Sequence, residues 1–240
     1  MLPAQPNRSL INGLACLQAV VTSDKPVGSR EVARLLTLEH TRVHRLLGTL
    51  CHLGVVEKTA ARKFRPGPGL HVLSAQSLRG SGLLGAAIPH LQPLAKEKLT
   101  IAMGVLWGNH VCYLIHTRVG QRPERGIGGH ALYPAHESIM GPPLLAQKTD
   151  EELRELYFGD DEPAISDENF EKLMDEVSDV RELGYCYRRN DTGKAAIAFS
   201  VCDPPIASIS VTGPIGSRRV PRLIETLGAI AEAITADVPH

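Results

Sequence analysis

Aromatic side chains are scarce, 4% of 240 residues, which argues against a binding site built around a large stacked ligand. The five cysteines (Cys16, Cys51, Cys112, Cys186 and Cys202) are odd in number, scattered and without a CxxC pair. That excludes a disulfide framework and a zinc knuckle and reads as reduced thiols. No apolar run approaches the about 18 residues of a membrane span, and the start MLPAQPNRS has no apolar core. The expected location is the cytoplasm, with no membrane partner. Catalytic signatures are missing too: no GxSxG elbow, no GxxxxGK[ST] loop and no GxGxxG opening a helix after a strand. No catalytic residue and no cofactor is therefore expected. His130 and His136 lie near one another, but with no CxxC or HxxxH pair beside them no metal site is expected.

What is present is a globular composition, 43% hydrophobic and 22% charged, in a chain long enough for one large domain or two modest ones. The net charge of zero hides a division. Residues 1–75 hold ten of the 26 Lys/Arg and four of the 26 Asp/Glu, so 16 cations face 22 acids in the remainder. A basic small unit followed by an acidic larger one suggests that the first meets a polyanion.

In the basic part, Leu10, Leu14, Leu17 and Val21 recur at helical spacing and predict a first amphipathic helix. Gly28 and Ser29 open a second, with Val32, Leu35 and Leu36 on one face. After a short break at Thr37 and Leu38, a third runs from about Glu39 to Leu53, burying Val43, Leu46, Leu47, Leu50 and Leu53, with Gly54 as its stop. The other face of the third helix shows Thr41, Arg42, His44, Arg45, Gly48, Thr49 and His52. Arginine can bond bidentately to guanine or hold a phosphate, and threonine can reach a base edge, so this face suits a major groove. Arg30 lies at the start of the second helix. A hairpin then follows, with Arg62, Lys63 and Arg65 on its return and Pro66-Gly67-Pro68-Gly69 closing it. Such a basic hairpin can lie along phosphates as a wing.

In the acidic part, AAIPHLQPLAKEKLT predicts a connecting helix kinked near Pro89 and Pro93. Ile101 to Trp107 and Val111 to Thr117 read as a hairpin. Helices are predicted at 138–147, 150–157 and 167–183, strands at 185–189, 195–201 and 206–212, and a last helix at 219–234. Strands flanked by helices without strict alternation indicate an α+β class.

The stretch SREVARLLTLEHTRVHRLLGTLCHLGVVEK, followed by FRPGPGLHVLSAQ, resembles the winged helix-turn-helix of isocitrate lyase regulator (IclR) type bacterial transcription factors. PAHESIMGPPLLA, LGYCYRRNDTGKAAIAFSV and SISVTGP are similar to segments of that family's ligand-sensing domain. Pro142 stands where the family usually has lysine, and Arg188 or Arg189 where many members have an acid. The resemblance implies a winged helix-turn-helix in residues 1–75, a connecting helix in 76–98 and a GAF-like α+β effector domain in 99–240. It implies double-stranded operator DNA, a small carboxylate effector and a homodimer or homotetramer as partners. It places DNA contacts at Arg30, Thr41, Arg42, His44, Arg45, Thr49, Arg62, Lys63 and Arg65. For the effector it implies backbone N–H groups at Ser138, Ile139, Met140 and Gly141 and hydroxyls at Ser210 and Thr212. A segment such as 138–141 at a helix start would hold a carboxylate through its unpaired N–H groups, and Arg188 would add charge if it points inward. A metabolic enzyme with an accessory N-terminal helical domain, using Cys or His in the acidic half, is the competing reading.

Overall fold

The computed structural model describes residues 6–128, 132–159 and 163–239. The chain divides between Gly80 and Ser81 into two units.

The first unit comprises α1 (Arg8–Val21), α2 (Ser29–Leu35), α3 (His40–His52), the strands β1 (Val56–Lys58) and β2 (Phe64–Pro66), and α4 (Pro68–Gly80). The Asn7 side chain accepts the N–H groups of Ser9 and Leu10 at 3.0 and 3.1 Å and starts α1. Between α2 and α3, Thr37 takes a left-handed φ of 51°. Val27 bridges Phe64 through two backbone bonds of 2.9 and 2.7 Å, tying the antiparallel β1–β2 pair back to the start of the helix-turn-helix.

The core of this unit joins Cys16, Ala19 and Val20 of α1 to Val32, Ala33, Val43, Leu47, Val56 and Phe64. Helix α1 is therefore rotated from the expected face. Leu10 is 63% and Leu14 49% exposed, because small side chains at Cys16 and Ala19 let α1 approach α3 more closely than leucines would. Leu35 and Leu53, also expected inside, are 68% and 63% exposed. Helix α4 is not evident from the sequence. It has no buried residue, hence no apolar stripe aimed at a core, and its start lies inside the Pro-Gly run, where Pro68 occupies a first-turn position that needs no N–H donor.

The second unit comprises α5 (Leu83–Leu91), β3 (Thr100–Trp107), β4 (His110–His116), β5 (Leu132–Pro134), α6 (Gly141–Leu145), α7 (Asp150–Phe158), α8 (Asp167–Leu183), β6 (Tyr185–Arg189), β7 (Lys194–Val201), β8 (Ala207–Pro214) and α9 (Val220–Asp237). The six strands form one antiparallel sheet in the order β5-β4-β3-β8-β7-β6. Alternation sends Ile101, Met103, Ile197, Ile209 and Val211 to one face, where they pack with Leu91, Leu223 and Leu227 of α5 and α9. Ala102, Val111, Cys186 and Ala198 join the other core, with Met140, Leu145, Leu153, Leu173 and Val177. The unit is α+β, and α5 is built into its core. Residues 76–98 are accordingly not a free-standing connection: α4 completes the first unit, while Leu83, Leu91 and Leu94 are core of the second.

The helix expected at 138–147 is shorter, five residues from Gly141. A Cβ at Gly141 would lie 1.8 Å from the carbonyl oxygen of Ala135, so the chain after β5 passes over the start of α6 at a distance only glycine allows. Gly141→Ala is expected to cost at least about 2 kcal/mol through forced backbone displacement. Denaturant unfolding of the variant checks this; an unchanged midpoint would contradict the close approach.

Candidate functional site

In the first unit, Thr41, His44, Arg45 and Thr49 are exposed together on α3. The Thr49 hydroxyl donates to the Arg45 carbonyl at 3.1 Å, which leaves its oxygen to accept. Ser29 Oγ lies 3.0 Å from His40 Nε2, joining the start of α2 to the start of α3. The His40 ring lies 6.2 Å from that of His44. Arg42 is only half-exposed and turned to α1. Its guanidinium lies 3.1 and 3.3 Å from the Asn12 side-chain amide, whose oxygen accepts from it. It is thus held within the unit, where the sequence places it among the reading residues.

On the hairpin, the Thr59 N–H donates to the Lys63 carbonyl at 2.8 Å, and Arg62 sits at the tip with a φ of 57°. Arg65 is paired with Glu57 directly across β1–β2, so its charge is already compensated. Lys58, which sequence reasoning did not single out, places its ammonium 5.8 Å from the Phe64 ring centroid. Arg30, Arg45, Arg62 and Lys63 have no acid within ion-pair distance among the described residues.

The second unit holds an open pocket of about 1100 Å³ on the sheet face opposite α9. Its floor follows from strand register. Thr212 and Ala196, paired across β8 and β7, line it, and their side chains are too short to fill the space that larger ones would close. In the adjoining row of Ala102, Ser210 and Ala198 the two alanines are covered by the core with Met140 and Leu145. One wall comes from β4, where Tyr113 and His116 share a face, and from Tyr133 of β5. The Tyr113 ring packs edge-on to His116 and Tyr133, with centroids 5.3 and 6.4 Å apart. Its hydroxyl lies 3.1 Å from Ser138 Oγ. The Tyr133 hydroxyl is pushed up by burial and by its hydrogen bond to Glu137. Lys194, two residues before Ala196 and so on the same face, borders the other side.

The implied N–H cradle is largely occupied. The Met140 N–H donates to Ser138 Oγ at 3.2 Å and the Gly141 N–H to the Ser138 carbonyl at 3.1 Å. Met140 is fully buried in the core and Gly141 is pressed on Ala135, whereas Ser138 and Ile139 line the pocket. Thr212 lines it as well. Ser210 shares the floor's face but is buried between Ala102 and Ala198.

Arg188 points inward, but as a strut. Its guanidinium makes two 2.6 Å bonds to Glu176 and donates to the carbonyls of Glu137 and His136 at 2.6 and 3.0 Å. Burial works against its charge, yet Glu176 more than offsets this and its pKa is raised. The edge strand, α8 and the pocket loop are thus locked together by one side chain. Tyr113, His116, Tyr133 and Lys194 were not found from sequence motifs. Their signal is strand alternation and register, which requires knowing which strands pair.

Burial raises all five cysteine thiols, Cys186 to about 12, so none is poised as a thiolate nucleophile. Among the described residues no group of three or more His, Cys, Asp or Glu comes together as a metal site, and no helix is long and apolar enough to cross a membrane. His130 lies outside the described residues.

Comparison with known proteins gives a consistent result. The family described as bacterial transcriptional regulator IclR C-terminal matches residues 75–236, and the IclR helix-turn-helix domain matches residues 9–60. The HTH-type transcriptional regulator BhcR of Paracoccus denitrificans (strain Pd 1222) is 26% identical over 220 residues, covering 85% of this chain and 76% of that protein. The crystal structure of an IclR family transcriptional regulator from Brucella abortus is similar with a TM-score of 0.78, at 21% identity over 98% of this chain and 94% of that one. An IclR homologue from Microbacterium hydrocarbonoxydans, solved in complex with 4-hydroxybenzoate, is similar with a TM-score of 0.65, at 21% identity over 95% and 98%.

His136 supplies a pH signature for the pocket loop. Burial depresses its pKa, nearby Arg188 and His110 act in the same direction, and Glu137 opposes them. The unfolded chain binds a proton near pH 6.5 that the folded one resists, so stability is retained above about pH 6.5 and lost as pH falls through it. Unfolding midpoints of the parent and of His136→Gln, followed from about pH 8 to about pH 5, are expected to converge as pH falls. Parallel curves would place His136 outside this linkage.

Proposed function

The chain belongs to the IclR family of bacterial transcriptional regulators, with a helix-turn-helix domain followed by an effector-binding domain. From that premise we propose that a homodimer binds duplex operator DNA and that a small carboxylate in the pocket of the second unit changes this binding. The observation that carries the DNA reading is the set of uncompensated cations, Arg30, Arg45, Arg62 and Lys63, on the helix-turn-helix unit of a chain with no net charge. Arg45, with Thr41 and Thr49, supplies base contacts from α3. Arg62 and Lys63 supply phosphate contacts from the wing. Arg42 and Arg65 contribute less, because Asn12 and Glu57 already hold them.

The dimer is supported by apolar side chains that the first unit leaves outside, Leu10 and Leu14 on α1 and Val72 and Leu73 on α4. A second copy is the occupant that would bury them, and two copies read two half-sites. Steep salt dependence of duplex binding tests the reading, since each released counterion adds to the slope. Arg45→Ala is expected to weaken operator binding by about 1 to 3 kcal/mol with the fold intact. Electrophoretic or anisotropy titration measures this, and unchanged affinity would move the reading face elsewhere.

For the effector, the support is a polar pocket with a cation at one side and three ring side chains at the other. Lys194 and the Thr212 hydroxyl can take a carboxylate, while Tyr113, Tyr133 and His116 can flank a flat ligand body. Three of the five tyrosines (Tyr113, Tyr133 and Tyr187) line this one pocket, so low aromatic content overall does not argue against an aromatic acid. The related protein solved with 4-hydroxybenzoate makes that compound a reasonable first probe alongside aliphatic acids. Ligand can shift DNA affinity only by preferring one arrangement of the paired DNA-binding domains. Thr212→Val, which removes a hydroxyl at nearly constant shape, is expected to weaken the best acid from a thermal-shift screen by about 1.5 to 3 kcal/mol. Calorimetry on both proteins decides: equal affinities, or a best ligand that is a cation, would overturn the carboxylate site.

A further inference from the structure

A second cavity, of about 670 Å³, opens beyond the first pocket. His116 lines both, as a partition. Thr100, Arg118, Gln121 and Arg125 complete its polar lining. The two arginines come from opposite ends of a loop and line the same cavity, where one backbone contact folds the loop back. A Cβ at Gly126 would lie 2.8 Å from the carbonyl carbon and oxygen of His116. The 3-10 turn Pro123–Gly126 therefore seats directly on the end of β4, and Arg125 is carried to the side where the chain leaves β4 as Arg118.

The support beneath is rigid. The Thr117 hydroxyl accepts the Ile101 N–H at 2.9 Å, and the Arg118 N–H donates to the Gln121 side chain at 3.0 Å.

Charge sets this loop apart from its surroundings. The second unit as a whole is acidic, yet between Lys98 and His136 the sequence has one acid, Glu124, and three arginines, Arg118, Arg122 and Arg125. That acid is engaged by the Gln92 amide. Among the described residues neither Arg118 nor Arg125 has an acid within ion-pair distance. Two arginines lining one cavity without an acid suit an oxyanion that accepts from both forks. Thr100 adds a hydroxyl donor at the same cavity.

We propose that this cavity is a second anion site, separate from the effector pocket, and that it takes a compact oxyanion: a phosphate or phosphate monoester, or a small dicarboxylate. The site is independent of the DNA-binding reading and of the effector chemistry argued above. Its position against His116 gives its occupancy a direct path to the wall of the first pocket.

Calorimetry on the full chain in a low-salt, phosphate-free buffer, with inorganic phosphate and malonate as probes, tests the proposal. Saturable binding of at least one probe is expected, and the tighter of the two identifies phosphoryl or dicarboxylate chemistry. Arg118→Gln and Arg125→Gln are each expected to weaken it about tenfold. Arg122→Gln removes the same charge from the same loop but not from this cavity, and is expected to leave the affinity unchanged. Unfolding midpoints equal to the parent's confirm that the exposed substitutions leave the fold intact. No saturable heat from either probe up to about 10 mM, parental affinity in both Arg118→Gln and Arg125→Gln, or equal weakening in all three variants would overturn the site.

Discussion

Small side chains on one face of the antiparallel sheet are the constraint around which the second unit is organised. Where Ala196 and Thr212 pair across β7 and β8, short side chains leave an open basin, whereas Ala102 and Ala198 of the next row are covered by the core with Met140 and Leu145. The opposite face, with isoleucines, a valine and a methionine, closes fully on α5 and α9. A sheet face that is packed core over one part and open basin over the next needs its basin walls held from outside. Arg188 does this by tying β6 to Glu176 of α8 and to two carbonyls of the pocket loop. The contact of Gly141 with Ala135 fixes the far end of the same loop.

Electrostatics in the two units follow different logics. In the second unit several arginines are structural: Arg188 with Glu176, Arg181 with Asp150, and Arg219 and Arg222 with Glu97. Such pairs spend their charge inside the fold and leave little field outside. In the first unit Arg65 is paired with Glu57 and Arg42 is held by the Asn12 amide, while Arg45 faces outward from α3 and Arg62 and Lys63 from the hairpin. Each such pair cancels one acid with one cation, so the second unit keeps its net negative charge while these arginines hold the fold together.

How much of this was legible in the sequence depended on the range of the interaction involved. Helix α8, strand β6 and the β3–β4 hairpin follow from local periodicity and turn residues, and the structure has them within a residue or so of the expected limits. The winged helix-turn-helix and the α+β class were likewise readable from motifs. The face of α1 was not. Two apolar stripes satisfy the same spacing, and the closer packing of the smaller one turned the leucines outward. Helix α4 has no buried side to announce it. Of the residues the resemblance implies for the effector, Ser138, Ile139 and Thr212 line the pocket, whereas Tyr113, His116, Tyr133 and Lys194 reach it only through the pairing of distant strands. The sequence leaves open whether Arg188 or Arg189 faces the pocket, and it gives no sign of Glu176, which lies on a separate helix.

Burial of the cysteines has a consequence beyond ruling out a nucleophile. Peroxides and disulfide exchange act on thiolates, and each thiol here is held in its protonated form above the ordinary range. Oxidant stress therefore finds no activated sulfur through which to alter the protein. A response set by a bound effector is reversible on the timescale of ligand dissociation instead of repair.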